Sequence, residues 1–367
     1  MSMPTPTPQA PRPMRLPAEW EPQSGVMLTW PNGATDWRPT LRAITATYLS
    51  MAWEIARREP LLIVCPHPSE FLSRLHCEFQ AMGNDADRAM RNVRLVKCPY
   101  NDTWARDHGF ITLVADDGGA RLLDFRFNGW GGKYEATLDN AINRRLYDQR
   151  LFRGDYVPND DFVLEGGSIE SDGKGSLFTT SRCLLSPGRN QPLTAPDIEA
   201  QLLRRLSAKR IVWIDHGDIE GDDTDGHIDT LVRLAPDDTI VYAGCDDPAD
   251  PQYAPLQLME EQLRTLLTLD GKPYRLLRLP SPAPVYNASS RLPATYANFL
   301  VINGAVLCPS YRQPSVDQLA ADVIKRAFPD REIVTIDAVP IIVQHGSVHC
   351  CAMQFPEGVL MPREKRQ

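Results

Sequence analysis

Ala297-Asn298-Phe299-Leu300-Val301-Ile302 and Ala305-Val306-Leu307-Cys308 are two apolar runs separated by two residues. Their length and their content of Val, Ile and Leu predict a pair of adjacent strands. Residues 315–327 follow with apolar positions at helical spacing, and Ile333-Val334-Thr335-Ile336 supplies a third strand. Strand, strand, helix, strand is therefore the unit to seek elsewhere in the chain.

The unit recurs upstream at a spacing of roughly seventy residues. One copy has strands at 228–234 and 239–244, a helix near 254–269 and a strand at 274–279. Another has strands near 162–171 and 175–180, a helix near 196–207 and the strand 210–214. A third has strands near 110–115 and 121–127 and a helix near 135–150. The N-terminal copy starts with a strand at 25–30, ended by Pro31-Asn32-Gly33, and a helix across 40–58 bearing Leu41, Ile44, Tyr48, Met51 and Ile55. It continues with the strand 61–65, a second helix at about 69–82 and a strand at 93–98. No Pro/Gly/Ser-rich linker divides the series, so the expectation is one α/β domain over residues 16–362 made of several similar units. Residues 1–15, rich in proline, read as a disordered tail, and 363–367 as a polar one.

A chain with 43% hydrophobic and 23% charged residues is a soluble globular protein by composition. Its net charge is −8 and its isoelectric point about 5.5, with no basic stripe interleaved with aromatics. Nucleic acid is thereby excluded as a partner, because its recognition rests on clustered Lys and Arg. The N-terminus lacks the apolar core of a signal peptide, and no apolar run approaches the ~20 residues that span a bilayer. The expected compartment is the cytoplasm, with no membrane partner. There the eight cysteines should be thiols. Cys65, Cys98, Cys245 and Cys308 end or follow apolar runs and read as small buried hydrophobes.

Four polar clusters resist explanation by packing: Trp104-Ala105-Arg106-Asp107, Leu164-Glu165-Gly166-Gly167-Ser168, Asp222-Asp223-Thr224-Asp225-Gly226-His227-Ile228-Asp229, and Gln344-His345-Gly346-Ser347-Val348-His349-Cys350-Cys351. All lie at unit boundaries, beside strand ends. The first could be a charged turn, but a tryptophan is poorly suited to a solvent loop and suggests an apolar pocket wall. Paired glycines within a strand suggest a bulge or a close backbone approach. An acidic loop explains the aspartates around 225 but not the embedded His227, and on an extended strand His227 and Asp229 would share one face. The run Val339-Pro340-Ile341-Ile342-Val343 reads as a strand whose end delivers a thiol to a cleft. Alternation would send one of Cys350 and Cys351 there and the other into the core.

A thiolate attacks electrophilic carbon, a histidine moves protons, and paired carboxylates grip a planar cation through charge-assisted hydrogen bonds. The planar cation with an attackable carbon is a guanidinium, which Asp107 and Asp229 would hold near sulfur. A metal-dependent hydrolase built on Asp225, His227, His345 and His349 is one competitor, and a non-catalytic guanidine-binding module is another. No phosphate-cradling glycine loop is present, and neither a metal nor an organic cofactor is called for. Oligomeric state has no signature in the sequence, so a homo-oligomer stays an option.

Together, Trp104-Ala105-Arg106-Asp107, Leu164-Glu165-Gly166-Gly167, Asp225-Gly226-His227-Ile228-Asp229 and Gly346-Ser347-Val348-His349-Cys350 resemble, in order, the motifs of the agmatine deiminase family of guanidine-modifying penteins, close to the bacterial peptidylarginine deiminases. Pro17-Ala18-Glu19-Trp20-Glu21-Pro22-Gln23-Ser24 and Phe127-Asn128-Gly129-Trp130-Gly131-Gly132-Lys133-Tyr134 extend the resemblance from about Leu16 to Pro356. It implies a pentein fold, a five-bladed α/β-propeller of pseudo-fivefold ββαβ units. It also implies Cys350 as nucleophile, His227 as acid and base, Asp107 and Asp229 as guanidinium ligands, and Glu165 as their support. Trp104, Asp223 and Gly226 would contact substrate, with Asp223 meeting the distal ammonium of agmatine. Free arginine and peptidylarginine are the alternative substrates. Cys351 departs from the family pattern.

Overall fold

The computed structural model describes residues 13–362, so most of both expected tails lies outside the described residues. Arg15, expected in the N-terminal tail, pairs with Val114 and forms an ion pair with Glu21. Mixed α/β architecture follows from the apolar runs. Among the described residues there are five sheets of three or four strands and one short two-stranded ladder.

Four sheets repeat one pattern, in which an antiparallel pair is followed by a helix and a strand parallel to the second member. They comprise Ile111–Val114, Ala120–Arg126 and Asp155–Val163; Ile169–Ser171, Ser176–Thr180 and Arg210–Ile214; Val232–Ala235, Thr239–Ala243 and Arg275–Leu279; and Leu300–Ile302, Ala305–Ser310 and Glu332–Asp337. The fifth sheet joins the chain ends. Ala352–Pro356 lies antiparallel to Gln23–Thr29, with Val26 opposite Gln354, and Leu61–Cys65 and Val93–Lys97 add in parallel.

The crossover helices form where apolar residues return every three or four positions. In Leu41–Ala56 that spacing buries Ile44, Tyr48, Met51, Ala52 and Ile55 on one face. Their starts are marked by local chemistry. Thr194 and Asp197 make a reciprocal capping box for Ala195–Arg205, and Pro68 and Pro314 occupy first-turn positions that need no N–H. No helix among the described residues is long and apolar enough to cross a membrane.

Several expectations are corrected, most of them near the polar clusters. The strand expected over 162–171 is two strands in different sheets, separated by a 3-10 turn at Gly166–Ser168. The strand expected from 228 begins at Val232, because a 3-10 turn covers Ile228–Thr230. Val339–Ile342 is helical, not extended; Pro340 fits a first helical turn and would remove a ladder hydrogen bond from a strand. The helix expected over 135–150 is confined to Ile142–Asp148, and Ala86–Asn92 forms an unanticipated one.

Candidate active site

Each junction between successive sheets supplies one piece of a common site. Asp107 comes from the turn between Val93–Lys97 and Ile111–Val114, and Glu165 from the turn after Asp155–Val163. His227 and Asp229 precede Val232–Ala235, Asn298 precedes Leu300–Ile302, and Cys350 precedes Ala352–Pro356. All six are buried.

Gly167 explains how these groups come close together. A Cβ there would sit 2.6 Å from His227 Nδ1, 2.8 Å from Asp107 Oδ1 and 3.1 Å from Asp229 Oδ2, so only glycine leaves room for the three. Its N–H donates to Asp107 Oδ1 over 3.0 Å, and Trp130 Nε1 donates to Oδ2 over 2.9 Å. The paired glycines thus serve close backbone approach. Gly346 has an equivalent role, since a Cβ there would meet the Trp104 ring at 2.0 Å.

Cys350 Sγ lies 3.3 Å from Asn298 Oδ1 and 3.9 Å from Asp229 Oδ2. The Asn298 side chain also accepts from the His349 and Cys350 amides, fixing the turn that carries the thiol. Asp229 Oδ2 is 2.7 Å from His349 Nδ1, while Oδ1 is buried without a hydrogen-bond partner and is free to accept from a ligand. His349 Nε2 reaches Glu19 Oε2 at 2.7 Å, and Glu19 in turn pairs with the buried Arg233. Cys351 points away from the thiol site, its Sγ directed at the Ser347 carbonyl.

Burial sets the electrostatics. It pushes the Cys350 thiol well above its ordinary range, and the Asp229 and Asp107 carboxylates push it further. Burial raises Asp107 to about 6, with His227 opposing the rise and Asp229 and Glu165 adding to it. Burial would also raise Asp229, but His349, then His227 and Arg233, hold it below the usual carboxylate range. For His227, burial favours the neutral ring; the Asp107 carboxylate, 3.6 Å away, together with Cys183 and Glu165 outweighs it and keeps the imidazole well above its ordinary value.

Cys350 and Asp107 line a cavity of about 170 Å³ whose walls include Trp104, Trp130, Tyr134, Asp36, Asp102, Asp223 and His345. Among the described residues lining it, four are aspartates and none is Lys or Arg. Asp223 accepts from the Tyr134 hydroxyl at 2.9 Å. Arg106, adjacent to Asp107 in sequence, instead faces a separate cavity and donates to Gln354 and Met353.

The remaining expectations are redistributed. Gly226 does not line the cavity; at φ 86 it shapes the turn that presents His227, its carbonyl accepting from Thr180 Oγ1. Glu165 is committed to Arg189, whose Nε lies 3.1 Å from both carboxylate oxygens. The residues of the metal-hydrolase alternative do not converge. Asp225 pairs with Lys133 and Arg189, His345 meets the Gly221 carbonyl, and His349 bridges Asp229 and Glu19. Asn298, Arg189 and Cys183 had no signal in the sequence beyond the unit boundary at which Asn298 falls.

Residues 15–356 match the profile of the Porphyromonas-type peptidyl-arginine deiminase family. The chain belongs to that family. Porphyromonas-type peptidyl-arginine deiminase relatives similar over nearly full length include an agmatine deiminase of Pseudomonas aeruginosa (strain LESB58), 33% identical with 97% of this chain and 99% of that protein covered. A solved C. jejuni agmatine deiminase variant with substrate bound is 36% identical, with a TM-score of 0.84 and coverage of 94% and 97%. A Porphyromonas gingivalis structure described as a candidate arginine deiminase is 43% identical, with a TM-score of 0.86 and coverage of 95% and 100%. The family assignment therefore includes agmatine deiminases on both sequence and structure.

Proposed function

We propose that the protein is an agmatine deiminase, converting agmatine and water to N-carbamoylputrescine and ammonia. The observation carrying this reading is the cavity wall, where Asp36, Asp102 and Asp223 join the Cys350 thiol and Asp107 with no Lys or Arg among them. Such a wall suits a substrate with a guanidinium at one end and an ammonium at the other. A free arginine would bring an α-carboxylate next to aspartates with no basic partner.

In the mechanism, the guanidinium lies between Asp107 and Asp229 and donates to their carboxylates, including Asp229 Oδ1, which accepts from no other group. The bound cation offsets the two negative charges that hold the Cys350 proton, so the thiol releases that proton to solvent and thiolate forms once substrate is in place. Sulfur bonds to the guanidinium carbon. His227 delivers its proton to the leaving nitrogen and ammonia departs, leaving an S-alkylthiouronium. Water then adds with His227 as base, and the adduct collapses to the ureido product and the thiolate. Asn298 keeps Sγ aimed, Trp104 walls the cation, Glu165 orients the His227 region through Arg189, and Asp223 meets the distal ammonium.

The wider architecture reads the same way. The five sheets would be blades of a pseudo-fivefold propeller forming one catalytic domain, with the C-terminal strand closing the first blade. Eight cysteines without a disulfide fit a reducing, cytoplasmic setting.

A second reading, free or peptidyl arginine as substrate, draws on the 43% identity to the P. gingivalis protein. Ammonia and ureido-product release from agmatine, arginine and a blocked arginine peptide, with Cys350→Ser as control, decides between them. Preference for agmatine supports the proposal, and faster turnover of arginine or the peptide overturns it.

A further inference from the structure

Close to His227 lies a buried thiol that the mechanism does not use, Cys183. Glu165, Cys183 and His227 each place a ligand atom within 4.8 Å of the others, and all three side chains are buried. Neither ring nitrogen of His227 meets a hydrogen-bond partner. Carboxylate, thiolate and imidazole are the donor set of a tetrahedral zinc site with one open position. Ligand atoms of such a site stand about 3.4–3.6 Å apart, given its bond lengths. Closing the triangle thus needs movements on the order of 1 Å.

We infer that Glu165, Cys183 and His227 form a site for a thiophilic divalent cation such as Zn²⁺, and that occupancy shuts the enzyme off by sequestering His227. This rests on the reading of His227 as the proton carrier. Glu165 is already oriented for the task. Arg189 reaches both of its oxygens with the single Nε–H, while Nη1 goes to Asp225 and Nη2 to the Thr224 carbonyl, so each Glu165 oxygen keeps a lone pair.

The charge balance also permits burial of the ion. Ligation by thiolate and neutral imidazole displaces the protons these groups carry as the ion enters. No large uncompensated charge is created in the interior. The same exchange makes affinity steeply pH-dependent, weaker as pH falls.

The test uses Co²⁺ as a spectroscopic probe in the full-length Cys350→Ser variant, which lacks the catalytic thiol. The expected result is a near-ultraviolet sulfur-to-cobalt band with tetrahedral d–d bands, displaced by Zn²⁺ and abolished when Cys183→Ser is added. In the otherwise unsubstituted enzyme, Cys183→Ser should raise the half-inhibiting Zn²⁺ concentration at least ~10-fold, inhibition being read relative to the variant's own metal-free turnover. Loss of the band in Cys350→Ser alone, equal zinc sensitivity of Cys183→Ser, or no cobalt binding would each overturn the proposal. The cobalt titration does not depend on the substrate, so it stands apart from any failure of agmatine turnover. Serine keeps the shape of the buried side chain at a slightly smaller volume, and circular dichroism on each variant verifies the fold.

Discussion

The Gly167 amide lies 3.0 Å from Asp107 Oδ1, and the space where its side chain would stand is bounded by Asp107, Asp229 and His227. A backbone without Cβ is thus what allows two carboxylates and an imidazole to face one another. Gly167→Ala should lower kcat/KM by ~10²-fold or more, since displacements near 1 Å of reacting groups have that effect. Turnover of agmatine by purified Gly167→Ala checks this; near-normal activity would mean that the three groups need not converge.

Acid should inactivate the enzyme through Asp107. Its carboxyl ordinarily titrates at 3.8 and in the fold at about 6, so kcat/KM should fall as pH drops below about 6, where the guanidinium loses one of its two ligands. The effect on stability has the opposite sense. A carboxyl raised in the folded state binds its proton more tightly there, so its contribution to stability declines as pH rises from 3.8 to about 6. Asp107→Asn should therefore be inactive yet more stable than the parent above this window, by about 1–3 kcal/mol, and indistinguishable below it. Thermal melts across pH read the difference, and a variant less stable at alkaline pH contradicts the assigned burial cost.

How much of this could be read from the chain depends on what each residue depends on. Periodicity located the strands of 61–65, 210–214 and 275–279 because apolar burial alone dictates them. It failed at 162–171, 228–231 and 339–343, where turn geometry that presents Glu165, His227 and Cys350 overrides local propensity. Four of the five sheet junctions announced themselves through unusual residue types. The fifth did not, because Asn298 is an ordinary residue whose role comes from meeting the His349 and Cys350 amides some fifty positions away. Arg189 was hidden for the same reason: its partners Glu165 and Asp225 are distant in sequence.

The Glu165–Arg189 pair is fully buried on both sides, so each charge depends on the other. Removing one partner leaves the second uncompensated, at a cost of about 3–5 kcal/mol. Arg189→Met should lower the free energy of unfolding by that amount, and with it the urea midpoint, and also weaken catalysis, since Glu165 and the turn of Asp225 lose their anchor. Equilibrium unfolding measures it; unchanged stability would show that Glu165 is held by something other than Arg189.

Cys350 and Cys351 differ in direction more than in chemistry. Cys350 lines the cavity, whereas Cys351 is fully buried against the Ser347 carbonyl. Cys350→Ser should abolish ammonia release, and Cys351→Ser should leave it close to the parent because a hydroxyl can still donate to that carbonyl. The reverse pattern in the same ammonia assay would mean that the turn before Ala352 presents the other thiol.

Asp223 stands on the same cavity wall as Asp36 and Asp102, its Oδ2 held by the Tyr134 hydroxyl. If it receives the distal ammonium of agmatine, Asp223→Asn removes one charge-assisted hydrogen bond at a partly solvated position and should raise KM by ~10-fold with little change in kcat. An alkylguanidine of equal length, charged only at its guanidinium, has no ammonium to lose, so its KM should be unaffected. Equal loss on both substrates would assign Asp223 to shaping the cavity, and no loss on either would move ammonium recognition to Asp36 and Asp102. The comparison isolates the second positive charge of the substrate, which separates agmatine from simple alkylguanidines.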